Sequence, residues 1–80
     1  MQSEIYPLNC LPLGQIGTVS ALVSSGTQRR RMLDLGLIEG TKVKALQKSP
    51  SGDPIAYLIR GAVIALRSED ADKVLMRNLA

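Results

Sequence analysis

The chain has no histidine, no tryptophan and no phenylalanine, and among its 80 residues only one is cysteine. Without histidine, the commonest general base and the commonest metal ligand are both missing. A lone Cys10 excludes an intrachain disulfide and suits a reducing cytosol. It has no histidine to activate it and stands in an apolar stretch, so a buried, inert thiol is expected. Tyr6 and Tyr57 are the only aromatic side chains, too few for a platform on which bases stack. No run approaches the roughly 18 apolar residues that cross a bilayer, so no membrane insertion is expected. The opening Met1-Gln2-Ser3-Glu4 lacks the basic and apolar regions of a secretory signal. Nor is there a Walker spacing or a Gly-x-Gly-x-x-Gly fingerprint for a nucleotide.

The net charge is only +3, which permits an acidic partner without demanding nucleic acid. Of the acids Glu4, Asp34, Glu39, Asp53, Glu69, Asp70 and Asp72, only those at 69–72 cluster. An acidic first turn of a short helix capped by Ser68 explains them. No catalytic constellation and no metal site is assigned, and the chain reads as a non-enzyme.

What is present is mainly β. The eighty residues make one domain, 1–80. Tyr6 to Leu13 carries two prolines, which suits an edge strand or an extended lead-in that packs Leu8 and Leu11 inward. Thr18 to Val23 reads as a strand with Val19, Ala21 and Val23 facing the core. Thr41 to Lys48 follows with Val43 and Ala45 inward and Lys42 and Lys44 outward. A turn-rich stretch, Ser49 to Pro54, leads to Ile55–Arg60, and Gly61 joins that strand tightly to Ala62–Arg67. Val74 to Arg77 can close against an early strand.

A single helix interrupts these strands. Thr27 or Ser25 offers an N-cap oxygen, and Gln28 to Leu35 contains no β-branched residue. Gly36 fits the left-handed C′ position, which makes Met32 and Leu37 the hydrophobic pair of a Schellman motif. Gly40 then releases the chain into the next strand. Arg29, Arg30 and Arg31 point about 100° apart and fan round the helix instead of forming one patch. Five or six short strands with one helix inserted after an early strand describe a mainly β chain closed into a small barrel, which protects strand edges by closure.

The same residues carry a resemblance. Leu8-x-x-Leu11-x-x-Gly14, Gly17-x-Val19, the run Arg30 to Gly36 with Leu37-x-x-Gly40-Thr41-x-Val43, Gly52-Asp53-Pro54-Ile55, Arg60-Gly61 and Ile64 to Arg67 resemble the ferrous iron transport protein A (FeoA) family. The resemblance implies an SH3-like barrel in the bacterial cytosol that accompanies the membrane transporter FeoB, whose cytosolic portion carries a G domain. Its expected role is that of an accessory or regulator by protein–protein contact, peripheral to the inner membrane only through its partner. A similar domain ends repressors of the diphtheria toxin repressor type, but no helix-turn-helix precedes the barrel here.

The contact surface is expected at the helix and its flanks, on Arg29, Arg30, Leu37, Ile38 and Glu39, while Gly36, Gly40 and Gly61 serve turns and caps. The alternative function is direct binding or sensing of a divalent metal. No cofactor is expected, although weak binding of Fe2+ through carboxylates, carbonyls and Cys10 is conceivable chemistry. The oligomeric state is left open, since small barrels with exposed edges can self-associate.

Overall fold

Alternating apolar residues along most strands produce a six-stranded antiparallel sheet in a computed structural model that describes residues 4–77. The domain read from sequence, 1–80, extends past these residues at both ends. In chain order the elements are β1 (Ile5–Pro7), a 3-10 turn (Leu8–Cys10), β2 (Ile16–Leu22), α1 (Gly26–Asp34) and β3 (Lys42–Lys48). They continue as β4 (Ile55–Ile59), β5 (Ala62–Leu66), α2 (Ser68–Ala71) and β6 (Val74–Arg77). Across the sheet the order is β1-β6-β2-β3-β4-β5. β6 therefore closes against the early strands β1 and β2, with Tyr6 opposite Met76 and Val19 also opposite Met76 on the other side.

Strands from end to end of this ladder contribute to one buried cluster, which six strands achieve by curling round it. Its members include Leu8 and Leu11 from the lead-in, Val43, Ala45 and Tyr57 from the middle strands, and Leu66 and Met76 from the last ones. The hydrogen-bonded ladder nevertheless has two ends, β1 and β5.

Two departures from strict alternation matter. On β2 the register against β6 slips between Val19 and Ala21, so Ser20 is an extra residue, a β-bulge. Val19 is buried as expected, but Ala21 and Val23 are exposed, because the bulge turns the strand over and puts Leu22 toward the core instead. On β3 a second slip, between Ala45 and Gln47, leaves Leu46 as the extra residue. Val43 and Ala45 point inward as their pattern requires.

α2 is capped differently from expectation. Its N-cap residue is Arg67, and no side chain of the cap itself bonds the helix. The first orphan N–H, that of Ser68, donates to the Asp53 carboxylate at 2.7 Å instead. Asp53 also lies 3.7 Å from Arg67, so one acid from the β3–β4 loop serves both groups.

Candidate functional site: a groove between the helix and the bulge

The end of α1 sets the site. Leu35 is the C-cap, and Gly36 follows with φ of 98°. The Leu37 N–H donates to the Met32 carbonyl at 3.1 Å and the Gly36 N–H to that of Leu33 at 3.0 Å, the paired bonds of a Schellman motif. Met32 and Leu37 are both fully buried, which makes the hydrophobic half of the motif part of the core. Gly36 is required twice over: a β-carbon there would be strained by φ and would collide with the Arg60 side chain lying across it. The N-terminus is less elaborate. Ser25 is the N-cap residue in extended geometry, but its hydroxyl makes no capping bond, and Thr27 lies inside the helix.

After the cap the chain returns to the sheet beside the point where it left. Gly40 donates to the Val19 carbonyl at 2.9 Å, and Val19 donates to the Thr41 carbonyl at 2.8 Å. Gly40 and Gly61 both have positive φ, 92° and 84°. The loop from Gly36 to Thr41 is thereby pinned next to the bulge.

Three arginines diverge as helix geometry dictates. Arg29 reaches back to the Leu22 carbonyl, at 3.4 Å from Nη1. Arg31 stands 4.0 Å from Asp70, which also accepts a hydrogen bond from the Gln28 amide, so one face of α1 is tied to α2. Arg30 lies between these directions, exposed, beside Gly26 and Thr27.

Between α1, the bulge and the pinned loop runs a groove of about 250 Å³, lined by Ser20, Ala21, Leu22, Arg29, Leu33, Leu37, Ile38 and Glu39. Of the residues assigned from sequence, the structure brings Arg29, Ile38 and Glu39 together here and leaves Arg30 outside. Leu37 lies at the floor of the groove but presents no exposed surface to a partner. At 0% exposure it is a core residue, drawn inward by the Schellman turn. Sequence reasoning missed Leu33, 38% exposed, which joins Ile38, 42% exposed, as an apolar edge of the groove. The signal was available: Leu33 lies four positions after Arg29, hence on the same helix face. The groove combines apolar walls with one cation and one anion, and among the described residues no hydrogen bond pairs a nucleophile with a base in it.

Elsewhere the chemistry is sparse. Among the described residues no three of His, Cys, Asp and Glu gather as metal ligands. Cys10 is exposed, against expectation, because the 3-10 turn gives its inward positions to Leu8 and Leu11. Tyr57 is fully buried at the centre of β4, with its hydroxyl 3.5 Å from the Leu8 carbonyl oxygen. Burial pushes that hydroxyl up to about 12, helped by the negative charges of Cys10 and Asp53. No helix among the described residues is long and apolar enough to cross a membrane.

Known proteins resemble this chain in sequence and in fold. A protein of Porphyromonas gingivalis, in which Fe(2+) transport protein A is fused to the Fe(2+) transporter FeoB, is 31% identical over 67 residues. The match takes in 84% of this chain but only 8% of that much longer protein. The solution structure of FeoA from Chlorobium tepidum superposes with a TM-score of 0.84 at 34% identity, covering 92% of this chain and 70% of the other. FeoA of Stenotrophomonas maltophilia, solved with zinc and described as an SH3 domain protein, matches at 27% identity and a TM-score of 0.79. That alignment spans 88% of this chain and 87% of its counterpart. The curled six-stranded sheet is thus an SH3-like fold of the kind seen in FeoA proteins. The model of the FeoA domain matches residues 6–78, nearly the whole length, and this chain belongs to the FeoA domain family.

Proposed function

We propose that the chain is a non-enzymatic accessory of bacterial ferrous iron uptake. It works by docking the groove between α1 and the β2 bulge onto the cytosolic G domain of a FeoB-type transporter, and so sits at the inner membrane only through that partner. The observation that carries the reading is the covalent union of the two proteins in the Porphyromonas gingivalis relative. Fusion through a linker supplies a partner at an effective concentration of roughly millimolar, so an interface evolved in that setting needs little intrinsic affinity. A groove as small as this one suits such a contact. Ile38 and Leu33 would supply the apolar centre, with Arg29 and Glu39 fixing orientation on either side.

Titration of the isotopically labelled chain with the isolated G domain tests the proposal. Amide shifts are expected at Ser20, Arg29, Leu33, Ile38 and Glu39, and Ile38→Asp should weaken binding at least about tenfold by placing a charge in the apolar centre. Absence of shifts at high micromolar G domain, or shifts confined to surfaces away from the groove, would remove the docking site.

A further inference from the structure

We propose that β5 is a self-pairing edge, by which two copies of this chain join their sheets antiparallel about a two-fold axis at Ile64. The two ends of the ladder are unlike. β1 has three residues and ends in Pro7, a poor template for another strand. β5 is Ala62-Val63-Ile64-Ala65-Leu66, with no proline, no charge and no glycine. Val63 is 67% exposed, the highest value among the exposed large apolar side chains.

Register shows which backbone groups are free. Ile59 and Ala62 face each other across the Arg60-Gly61 turn, so they form the terminal hydrogen-bonded pair of the β4–β5 hairpin. Bonding alternates from there, and the N–H and C=O groups of Ala62, Ile64 and Leu66 face β4. Those of Val63 and Ala65 face away, and none of them takes part in the hydrogen bonds formed outside the ladder among the described residues.

A strand laid on this edge must be extended and must present the same alternation, and β5 itself does. With the axis at Ile64, Val63 of one copy lies opposite Ala65 of the other, and each such pair exchanges both N–H···O bonds. Ile64 meets its own counterpart at the close, non-hydrogen-bonded spacing. Its side chain is only partly buried against the core, and a groove beside it, lined by Leu35, Ala62 and Arg60, leaves it open on that side. The second copy's Ile64 would cover it. Charge agrees with this register. Arg60 of one copy falls opposite Ser68, next to Glu69 at the acidic start of the other copy's α2. Arg67, which would otherwise approach Arg60 of the second copy, is engaged by Asp53 of its own chain. An isologous contact of this kind closes after two copies.

Sedimentation and amide exchange on the full chain test the proposal. Mass should rise toward a dimer with concentration, and the amides of Val63 and Ala65 should become protected in step with it. Val63→Pro deletes a donor that the chain's own ladder does not use, so the fold is retained while dimerisation weakens at least about tenfold. Far-UV circular dichroism confirms the fold, and Val63→Lys, on an exposed position, supplies a second folded variant. A chain that stays monomeric at millimolar concentration overturns the proposal. So does a dimer that leaves Val63 and Ala65 unprotected, or one that survives Val63→Pro unchanged.

Discussion

Gly36 answers to two constraints of different kinds, and they can be separated. Its φ of 98° is strained for any side chain, a cost of about 1–3 kcal/mol. The space above it is occupied by the Arg60 stem, a flexible obstacle that can swing aside. Gly36→Ala is therefore expected to destabilise by about 1–2 kcal/mol, mostly through φ. In an Arg60→Ala background the same substitution should recover only a minor part of that loss. Chemical denaturation of the four proteins checks this. A full recovery would show that crowding and not backbone geometry selects glycine. The φ requirement was legible from the helix formers that run up to Gly36 and the leucine after it. The Arg60 contact was not, because it joins residues 24 positions apart on elements whose packing no local pattern records. Cys10 illustrates the reverse error: its apolar neighbours suggested burial, yet those neighbours took the inward places themselves.

At the scale of elements, the β3–β4–β5 meander, the closing strand β6 and the helix α1 followed from alternation, turn residues and caps, as β3 and the β4–β5 hairpin show. What alternation does not reveal is a bulge. Nothing in Val19-Ser20-Ala21 distinguishes an extra residue from a regular one, so the outward turn of Ala21 and Val23 had no local signature. The groove depends on that bulge, which is why its β2 side, Ser20 to Leu22, could not be read from sequence, whereas Arg29, Ile38 and Glu39 could. Capping was misjudged similarly: Ser68 is a favourable cap residue by type, but the acceptor comes from Asp53 across the loop. Asp53→Ala should thus cost about 1 kcal/mol, the usual worth of a helix cap. Asp53→Asn, which retains an oxygen acceptor, should cost roughly half as much or less, since the ion pair with exposed Arg67 contributes little. Thermal melts of both variants check the order. Equal losses would mean that the charge matters and the cap does not.

For the molecule as a whole, Tyr57 reports on the integrity of the barrel. It is the largest of the fully buried side chains and lies at the middle of β4, directed at the lead-in turn through Leu8. Ionising it in place would put an unpaired charge in the core, which is why its pKa stands at about 12 instead of the ordinary 10. In the unfolded chain the hydroxyl ionises first. Below pH 10 both states hold the proton, and the group contributes no pH dependence. Above 10 the unfolded state binds fewer protons than the folded one, so stability must fall as pH rises, until ionisation of the folded state near 12 ends the decline. Integrated over that window, the loss is on the order of 2 kcal/mol, a large share of what an 80-residue domain possesses. Burial raises the pKa of the partly buried Tyr6 as well, an effect of the same sign. Tyr57→Phe therefore provides the reference: it keeps the ring in the core and removes only the titrating hydroxyl. Denaturation midpoints followed from pH 9 to pH 12 should fall more steeply for the native chain than for Tyr57→Phe. Parallel curves would mean that the hydroxyl reaches water in the folded protein, and that the sheet curls less tightly round Tyr57 than its burial indicates.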